Sequence, residues 1–330
     1  MTRVAVVGRG SAASRTLRIL RDMGISNLVH VGSRPLEGFE GKHLFSLERV
    51  SGGEVDWVFD CSPASTRVEH AEMLAERGLP TIFEKPLAVN SAEGKRVLDL
   101  FTAQSVPVRV GYNLRRRHAF DFVRELLASS SLGVLKNAEI SVGQYLPDWR
   151  PHRDYRLTVS AQSRLGGGAL LELSHDLNYL IGLWGRVLEL NGETRHSGEL
   201  EIDVEDWAEA RLRFESEAAP PDVTITLDFL RRTPERWCRI SGRKGNVHWD
   251  LLENRVVTSS ATGDSVHQFD DSLDDTYSAD ILGVLMGDTH QAGYSQDNAD
   301  ALHTLEVIDA WRASSGSGCE VKVRGVSTHG

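Results

Sequence analysis

Val4-Ala5-Val6-Val7-Gly8-Arg9-Gly10-Ser11-Ala12-Ala13 runs four apolar residues into a glycine-rich turn. An unbroken apolar run of this length, stopped by glycine, predicts a short strand buried on both faces. Leu17, Leu20 and Met23 recur at helical spacing, so a helix is expected from about Ala12 to Met23, with Gly24 past its end in the left-handed conformation that stops a helix. In a strand–turn–helix unit of this kind, Gly8 makes the tight turn and Gly10 lets the backbone approach a pyrophosphate. Ala13 is small enough for the helix to pack closely on the strand. The free N–H groups at the helix start, around Ser11, Ala12 and Ala13, then face the phosphates. The turn therefore points to dinucleotide binding.

Outward from this turn the pattern repeats. Apolar segments at Asn27–Val31, Val55–Phe59, Thr81–Phe83 and Val108–Val110 predict strands, and Arg67–Arg77 and Ala92–Gln104 predict helices, the second capped by Ser91. Alternating strands and helices indicate a parallel α/β sheet. After Arg117 the character changes. A helix at about Phe120–Ala128 leads into period-two segments at Ala138–Tyr145, Leu188–Arg195, Ala208–Phe214, Val223–Phe229, Trp237–Ser241 and Val247–Leu251. Such alternation indicates antiparallel strands with one buried face. One helix, about Ala169–Trp184, interrupts them, and two more, about Thr276–Met286 and Asn298–Ala313, follow. The expected fold is an α/β Rossmann domain, residues 1–117, followed by an α+β domain, residues 118–330, with a large open, mostly antiparallel sheet.

The chain has 330 residues and a formal net charge of -10, with 40% hydrophobic and 25% charged residues. This is the composition of a soluble globular protein and argues against a general nucleic-acid or membrane-surface binder. The three cysteines have no metal-ligand spacing, the first apolar run is too short for a signal-peptide core, and no stretch approaches a membrane span. A cytoplasmic location is expected, with no nucleic-acid or membrane partner.

Candidate site residues lie at the C-terminal ends of the parallel strands, where open α/β sheets bind ligands. The second strand ends Val31-Gly32-Ser33-Arg34, without the acid that commonly holds the ribose of NAD. Arg34 and Ser33 suit a 2′-phosphate, so NADP is favoured over NAD. The next strand ends in Cys61-Ser62-Pro63, followed by His70, which caps a helix or lines the cofactor site. Glu84-Lys85-Pro86 closes a further strand, and Gly111-Tyr112-Asn113 the last.

With Gly166-Gly167-Gly168-Ala169-Leu170-Leu171-Glu172 and His175 added, the whole chain resembles the glucose–fructose oxidoreductase/inositol dehydrogenase (Gfo/Idh/MocA) family. The resemblance implies a nicotinamide-dependent oxidoreductase acting on sugar hydroxyls, and homo-oligomerisation, as a dimer or tetramer, through the C-terminal sheet. It implies that Lys85 contacts the reacting hydroxyl, commonly beside a cis peptide before Pro86. It also implies an acid/base histidine on the later helix and a carboxylate, matched by Glu172, about one turn earlier. The family commonly spaces that carboxylate and histidine by four, whereas Glu172 and His175 are three apart, so either His175 or Asp176 fills the usual place. Glu172-Leu173-Ser174-His175 is similar to a branch associated with bacterial surface-sugar pathways, which implies acidic or nucleotide-linked sugars.

The chemistry of the residues points the same way. Histidine titrates near working pH, with a free pKa of ~6.5. Lysine would have to fall by about 3 units, at a cost of ~4 kcal/mol, to act as a base. His175 is therefore the expected proton carrier and Lys85 the expected positioner of the hydroxyl. Glu172 and His175 alone give no third metal ligand, so no metal is expected. Arg115, Arg150, Arg153 and Arg164, with Tyr145, Trp149 and Tyr155, suit an anionic sugar, since arginine forks bind carboxylate or phosphate. The other readings open to this pattern are an epimerase, dehydratase or glycosidase on the same scaffold, and a non-catalytic dinucleotide-binding regulator.

Overall fold

The computed structural model describes residues 2–285, 293 and 295–325. Contacts group the chain into two compact units, Met1–Asn113 with Leu273–Leu305, and Leu114–Ser272 with Glu306–Gly330.

The first unit holds β1 (Arg3–Val7), α1 (Ser11–Asp22), β2 (Asn27–Val31), β3 (Lys42–Leu44), β4 (Trp57–Asp60), α2 (Arg67–Glu76), β5 (Thr81–Glu84), α3 (Ser91–Ala103) and β6 (Val108–Gly111). Its six strands are all parallel in the order β3-β2-β1-β4-β5-β6. The order reverses between β1 and β4, the place where such sheets open a crevice for a dinucleotide. Gly24 and Gly78 end α1 and α2 with φ of 81° and 65°, the left-handed geometry that glycine adopts without strain. The expected cap of α3 moves by one residue: Asn90, not Ser91, accepts from the Glu93 amide, and Ser91 is the first helical residue.

The sequence boundary at residue 117 leaves residues 273–305 with the second segment, whereas the contacts place them in the first unit. The reason is apolar burial. Helix α7, within this unit, buries Ile281 and Val284 in one cluster with Val4, Val6, Leu17, Leu20, Phe59 and Ile82. It spans Leu273–Leu285, and Met286, the expected last residue, lies outside the described residues.

The second unit holds α4 (His118–Ala128), β7 (Leu135–Gly143), α5 (Ala169–Glu172), α6 (Ser174–Trp184), β8 (Val187–Arg195), β9 (Trp207–Phe214), β10 (Asp222–Asp228), β11 (Glu235–Gly242), β12 (Gly245–Asp250), β13 (Arg255–Ser260), β14 (Gly263–Gln268) and β15 (Val321–Lys322). They form a nine-stranded sheet, β14-β13-β12-β11-β7-β10-β9-β8-β15, antiparallel throughout except for β7 beside β10. Ala138, Ile140, Val142, Ala210, Leu212, Ile225, Ile240 and Trp249 are buried from alternate positions of the strands. Helix α8 (Gln296–Ser317) crosses the division, and Trp311 in its second half lies so close to Gly192 of β8 that a Cβ there would meet the indole at 2.5 Å.

The strand β13 and the edge strand β14 beside it escape sequence reading because Thr258-Ser259-Ser260 and Gly263-Asp264-Ser265 carry no apolar alternation. The single helix expected at 169–184 is two helices. Leu173, at φ −97° and ψ 15°, leaves the helical conformation, and the Ser174 hydroxyl donates to the Leu171 carbonyl at the break.

Candidate active site

In the first unit the glycine turn is set by its neighbours. The Gly8 amide donates to the Val31 carbonyl at 2.9 Å, and the Cys61 amide to Val7 at 2.9 Å, which joins the ends of β2, β1 and β4. Gly8 has φ +116°, and a Cβ there would lie 2.7 Å from the Cys61 carbonyl oxygen. A Cβ on Gly10 would meet nothing within 4 Å, so the space beside it is open for a ligand. Helix α1 begins with no side-chain cap and no acid in its first turn. The helix start around Ser11, Ala12 and Ala13 thus carries the positive end of the helix dipole with no acid beside it, a setting that suits an anion. This fits a pyrophosphate.

Buried His30 supports the turn from below. Its Nε2–H donates to the Gly8 carbonyl at 2.8 Å, because a carbonyl can only accept. In the neutral ring the remaining Nδ1 then accepts from His43 Nδ1–H at 2.9 Å. Burial lowers the His30 pKa; the Gly8 hydrogen bond opposes this, while His43 and Arg9 add to it. A histidine held neutral by the fold contributes stability above its unfolded pKa, ~6.5, and loses it as pH falls from there through the folded value. The thermal midpoint should therefore drop between pH 7 and pH 5, and drop less in His30→Gln. Equal slopes in the two proteins would refute this role.

Ser33 and Arg34 are exposed beyond β2, and Arg9, which the sequence reading passed over, donates to Ser33 Oγ at 2.6 Å. At the end of β4, the hydroxyl of Ser62 donates to Asp60 Oδ1 at 2.5 Å, and Pro63 opens the turn that leads into α2. His70 is held on Asp60 Oδ2 at 2.8 Å. Asp60 and Arg67 are buried and paired at 2.9 Å. Burial alone would push the Asp60 carboxyl up, but Arg67, His70 and Ser62 more than offset it and hold it well below the carboxylate range. An acid ending an otherwise apolar strand, seven residues before an arginine, was the available signal for this pair.

The strand end carrying Glu84 and Lys85 continues through a cis Lys85–Pro86 peptide. The Lys85 amide donates to Glu84 Oε2 at 3.1 Å. Burial raises the Glu84 pKa against the pull of Lys85, Arg67 and a hydrogen bond to Tyr277 of α7. Asn113 is buried, and its amide donates to Thr276 Oγ1 at 2.7 Å, so that amide ties the end of β6 to α7.

The second unit carries the other candidates. Gly166 and Gly168 have φ of 81° and 104°, and a Cβ on Gly168 would collide with the Glu205 carboxylate, which accepts from the Leu170 amide at 3.1 Å. This close approach starts α5 and leads to Glu172, whose carboxylate accepts from Ser160 Oγ at 2.9 Å. His175 and Asp176 share the first turn of α6. Asp176 is fully buried and paired with Arg236 of β11 at 2.5 Å, while His175 is half-buried.

Among the expected sugar contacts, Arg115 lies against Gly182 of α6. The Tyr145 ring sits under the Arg232 guanidinium at 3.5 Å, and Trp149 donates to the Gln144 carbonyl at 3.2 Å. Tyr155 Oη accepts from the Glu201 amide at 3.1 Å. Arg150 is half-buried, and Arg153 and Arg164 are exposed. Arg156 in the same loop is taken up by Asp154 and Glu201. The described residues contain no group of three His, Cys, Asp or Glu able to hold a metal, and no helix long and apolar enough to cross a membrane.

Residues 120–248 match the GFO/IDH/MocA C-terminal domain, and residues 2–112 match the oxidoreductase family with an NAD-binding Rossmann fold. Rhizopine catabolism protein MocA of Rhizobium meliloti is 27% identical over 140 residues, 42% of this chain and 41% of that protein. A dTDP-3,4-didehydro-2,6-dideoxy-alpha-D-glucose 3-reductase of Saccharopolyspora spinosa is 28% identical over 181 residues, 52% of each chain. The chain thus spans about half the length, or less, of these relatives. A levoglucosan dehydrogenase in complex with NADH and levoglucosan shares the fold, with a TM-score of 0.84 at 17% identity, covering 98% of this chain and 100% of that one. So does the WlbA dehydrogenase from Bordetella pertussis in complex with NADH and UDP-GlcNAcA, with a TM-score of 0.78 at 19% identity and 98% of both chains covered. With two family models spanning most of its length and an NAD-binding sheet order in its first unit, the chain belongs to the Gfo/Idh/MocA oxidoreductase family.

Proposed function

We propose that this protein is an NAD(P)-dependent oxidoreductase that moves a hydride between nicotinamide and a hydroxyl or keto carbon of a sugar. The observation that carries this is the placement, at one end of one parallel sheet, of the Gly8 cradle backed on Cys61 and the Lys85 strand end. The nicotinamide, when bound, supplies or accepts the hydride. Lys85, as an ammonium, donates a hydrogen bond to the reacting oxygen and polarises it. His175 takes the hydroxyl proton in oxidation and returns it in reduction. Glu172 is fixed by Ser160 near the start of the same segment. Asp176 is spent on Arg236, which favours His175 as the proton carrier. Turnover with NADP⁺ or NAD⁺ across neutral, acidic and nucleotide-linked sugars tests the reading; binding of dinucleotide with no turnover on any of them would favour a regulator instead.

The finer assignments rest on the arginines. Ser33, Arg34 and Arg9 at the β2 end favour a 2′-phosphate and so NADP. Arg34→Ala is expected to weaken NADP(H) about 10-fold, the size of one charge-assisted hydrogen bond, and to leave NAD(H) unchanged. An unaltered preference in titrations of both cofactors would remove the assignment. Arg150, Arg153 and Arg164 favour an acidic or nucleotide-linked sugar of the kind made for surface glycans, and the UDP-GlcNAcA complex of the WlbA dehydrogenase, which shares the fold, is consistent with it. The outer face of the nine-stranded sheet, where Arg239 stacks on Trp237 at 4.3 Å and Arg195 on Trp207 at 4.2 Å, is the proposed surface between copies of the chain.

A further inference from the structure

The buried Asp60–Arg67 pair is poorly explained as a stabilising device. Taking two charges out of water costs several kcal/mol per ion, and well-packed apolar side chains often do as well. Here Arg67 is 1% exposed and its Nε is buried with no hydrogen-bond partner, so part of the guanidinium is desolvated without return. What the pair does achieve is geometric. Arg67 Nη1 contacts Asp60 Oδ1 at 2.9 Å and Ser62 Oγ at 3.1 Å, and Nη2 donates to the Glu84 carbonyl at 3.0 Å. The guanidinium also lies over the Phe83 ring, 5.4 Å from its centroid. Asp60 ends β4, Ser62 lies in the turn after it, and Glu84 ends β5. One planar fork thus joins two adjacent strand ends, and the carbonyl it holds belongs to the peptide that leads into Lys85. A lysine at position 67 would bring one nitrogen in place of the two, Nη1 and Nη2, that reach the separate strand ends.

We propose that Arg67, held in place by Asp60, is a positioning residue that fixes the Glu84–Lys85 peptide and so sets where the Lys85 ammonium is presented. The proposal rests on the reading of Lys85 as the group that holds the reacting hydroxyl. His70 and Ser62 complete the Asp60 shell. Rotation of one peptide plane moves the next side chain by an ångström or more at its end, and misplacement of that size costs about 100-fold in rate.

The double variant Asp60→Leu/Arg67→Met removes both charges together and leaves neither buried alone, so it should fold, with a thermal midpoint lowered because Ser62 and His70 lose their Asp60 acceptor. Two readouts are taken on the full chain: kcat with the sugar that supports wild-type turnover, and the rate of acylation of Lys85 relative to exposed Lys244, read by peptide mass. The expected result is a fall in kcat of about 100-fold, with a several-fold change in relative acylation of Lys85. Unchanged Lys85 acylation overturns the proposal even if kcat falls, because the effect would then not pass through Lys85. Altered acylation with unchanged kcat overturns it as well. Should the double variant fail to fold, Arg67→Lys keeps the charge opposite Asp60 and is read in the same way. If the wild type turns over no sugar, the oxidoreductase reading fails, and the acylation ratio alone then decides the positioning role.

Discussion

Replacing Gly8 by alanine is expected to abolish measurable dinucleotide binding, a loss of at least about 100-fold or ~2.7 kcal/mol. The backbone at Gly8 has φ +116°, which costs an L-residue about 1–3 kcal/mol. The new Cβ would also stand 2.7 Å from the Cys61 oxygen and 2.9 Å from its carbonyl carbon, both backbone atoms that cannot swing away. The turn must shift, and with it the start of α1, whose N–H groups form the proposed phosphate site. Gly10→Ala is the matched comparison. Gly10 has φ −84° and open space around it, so alanine there should leave the thermal midpoint unchanged and still weaken the cofactor by filling the room a pyrophosphate needs. Titration of NADPH and NADH into both variants, beside thermal unfolding, checks the pair. Wild-type affinity in Gly8→Ala would refute the cradle.

His175→Gln is expected to lower kcat/KM by about 10²–10⁴-fold with cofactor affinity intact, the range for removing a proton-transfer group. Glutamine keeps a hydrogen-bonding side chain of similar reach and cannot carry the proton. Asp176→Asn should behave differently. It leaves Arg236 facing a neutral amide in a buried pair, a change that costs up to about 3–5 kcal/mol, so its main effect should be on unfolding. Steady-state kinetics and thermal melts of the two variants decide which of these neighbours is the acid/base. A large loss of kcat in Asp176→Asn at wild-type stability would assign the role to Asp176.

Much of the first unit was legible because its signals are local. A four-residue apolar strand, two glycines at fixed offsets and a helix with its stop residue need only neighbours in sequence to be read. The same holds for the alternation in β9 and β10, whose period reports a one-sided sheet. The signals that failed were those in which local chemistry is indifferent. Asn90 and Ser91 are both good caps, and which one serves depends on where the chain enters α3. Leu171-Glu172-Leu173-Ser174 is compatible with an unbroken helix, and the break at Leu173 shows only in the folded backbone, where the Ser174 hydroxyl takes the Leu171 carbonyl.

The sequence by itself determined the two kinds of sheet, the glycine turn after β1 and the candidate pair Lys85 and His175, since each is written in spacing and residue type along a short stretch. Only the tertiary structure decided that α7 buries Ile281 and Val284 in one cluster with residues of α1, β1 and β4, that His30 sits beneath Gly8, and that Arg67 joins the ends of β4 and β5. Each of these joins different elements of the fold and was chosen by shape, burial and hydrogen-bond satisfaction in the folded core; the spacing of Asp60 and Arg67 hints at a pair but not at the Glu84 carbonyl that Arg67 also holds.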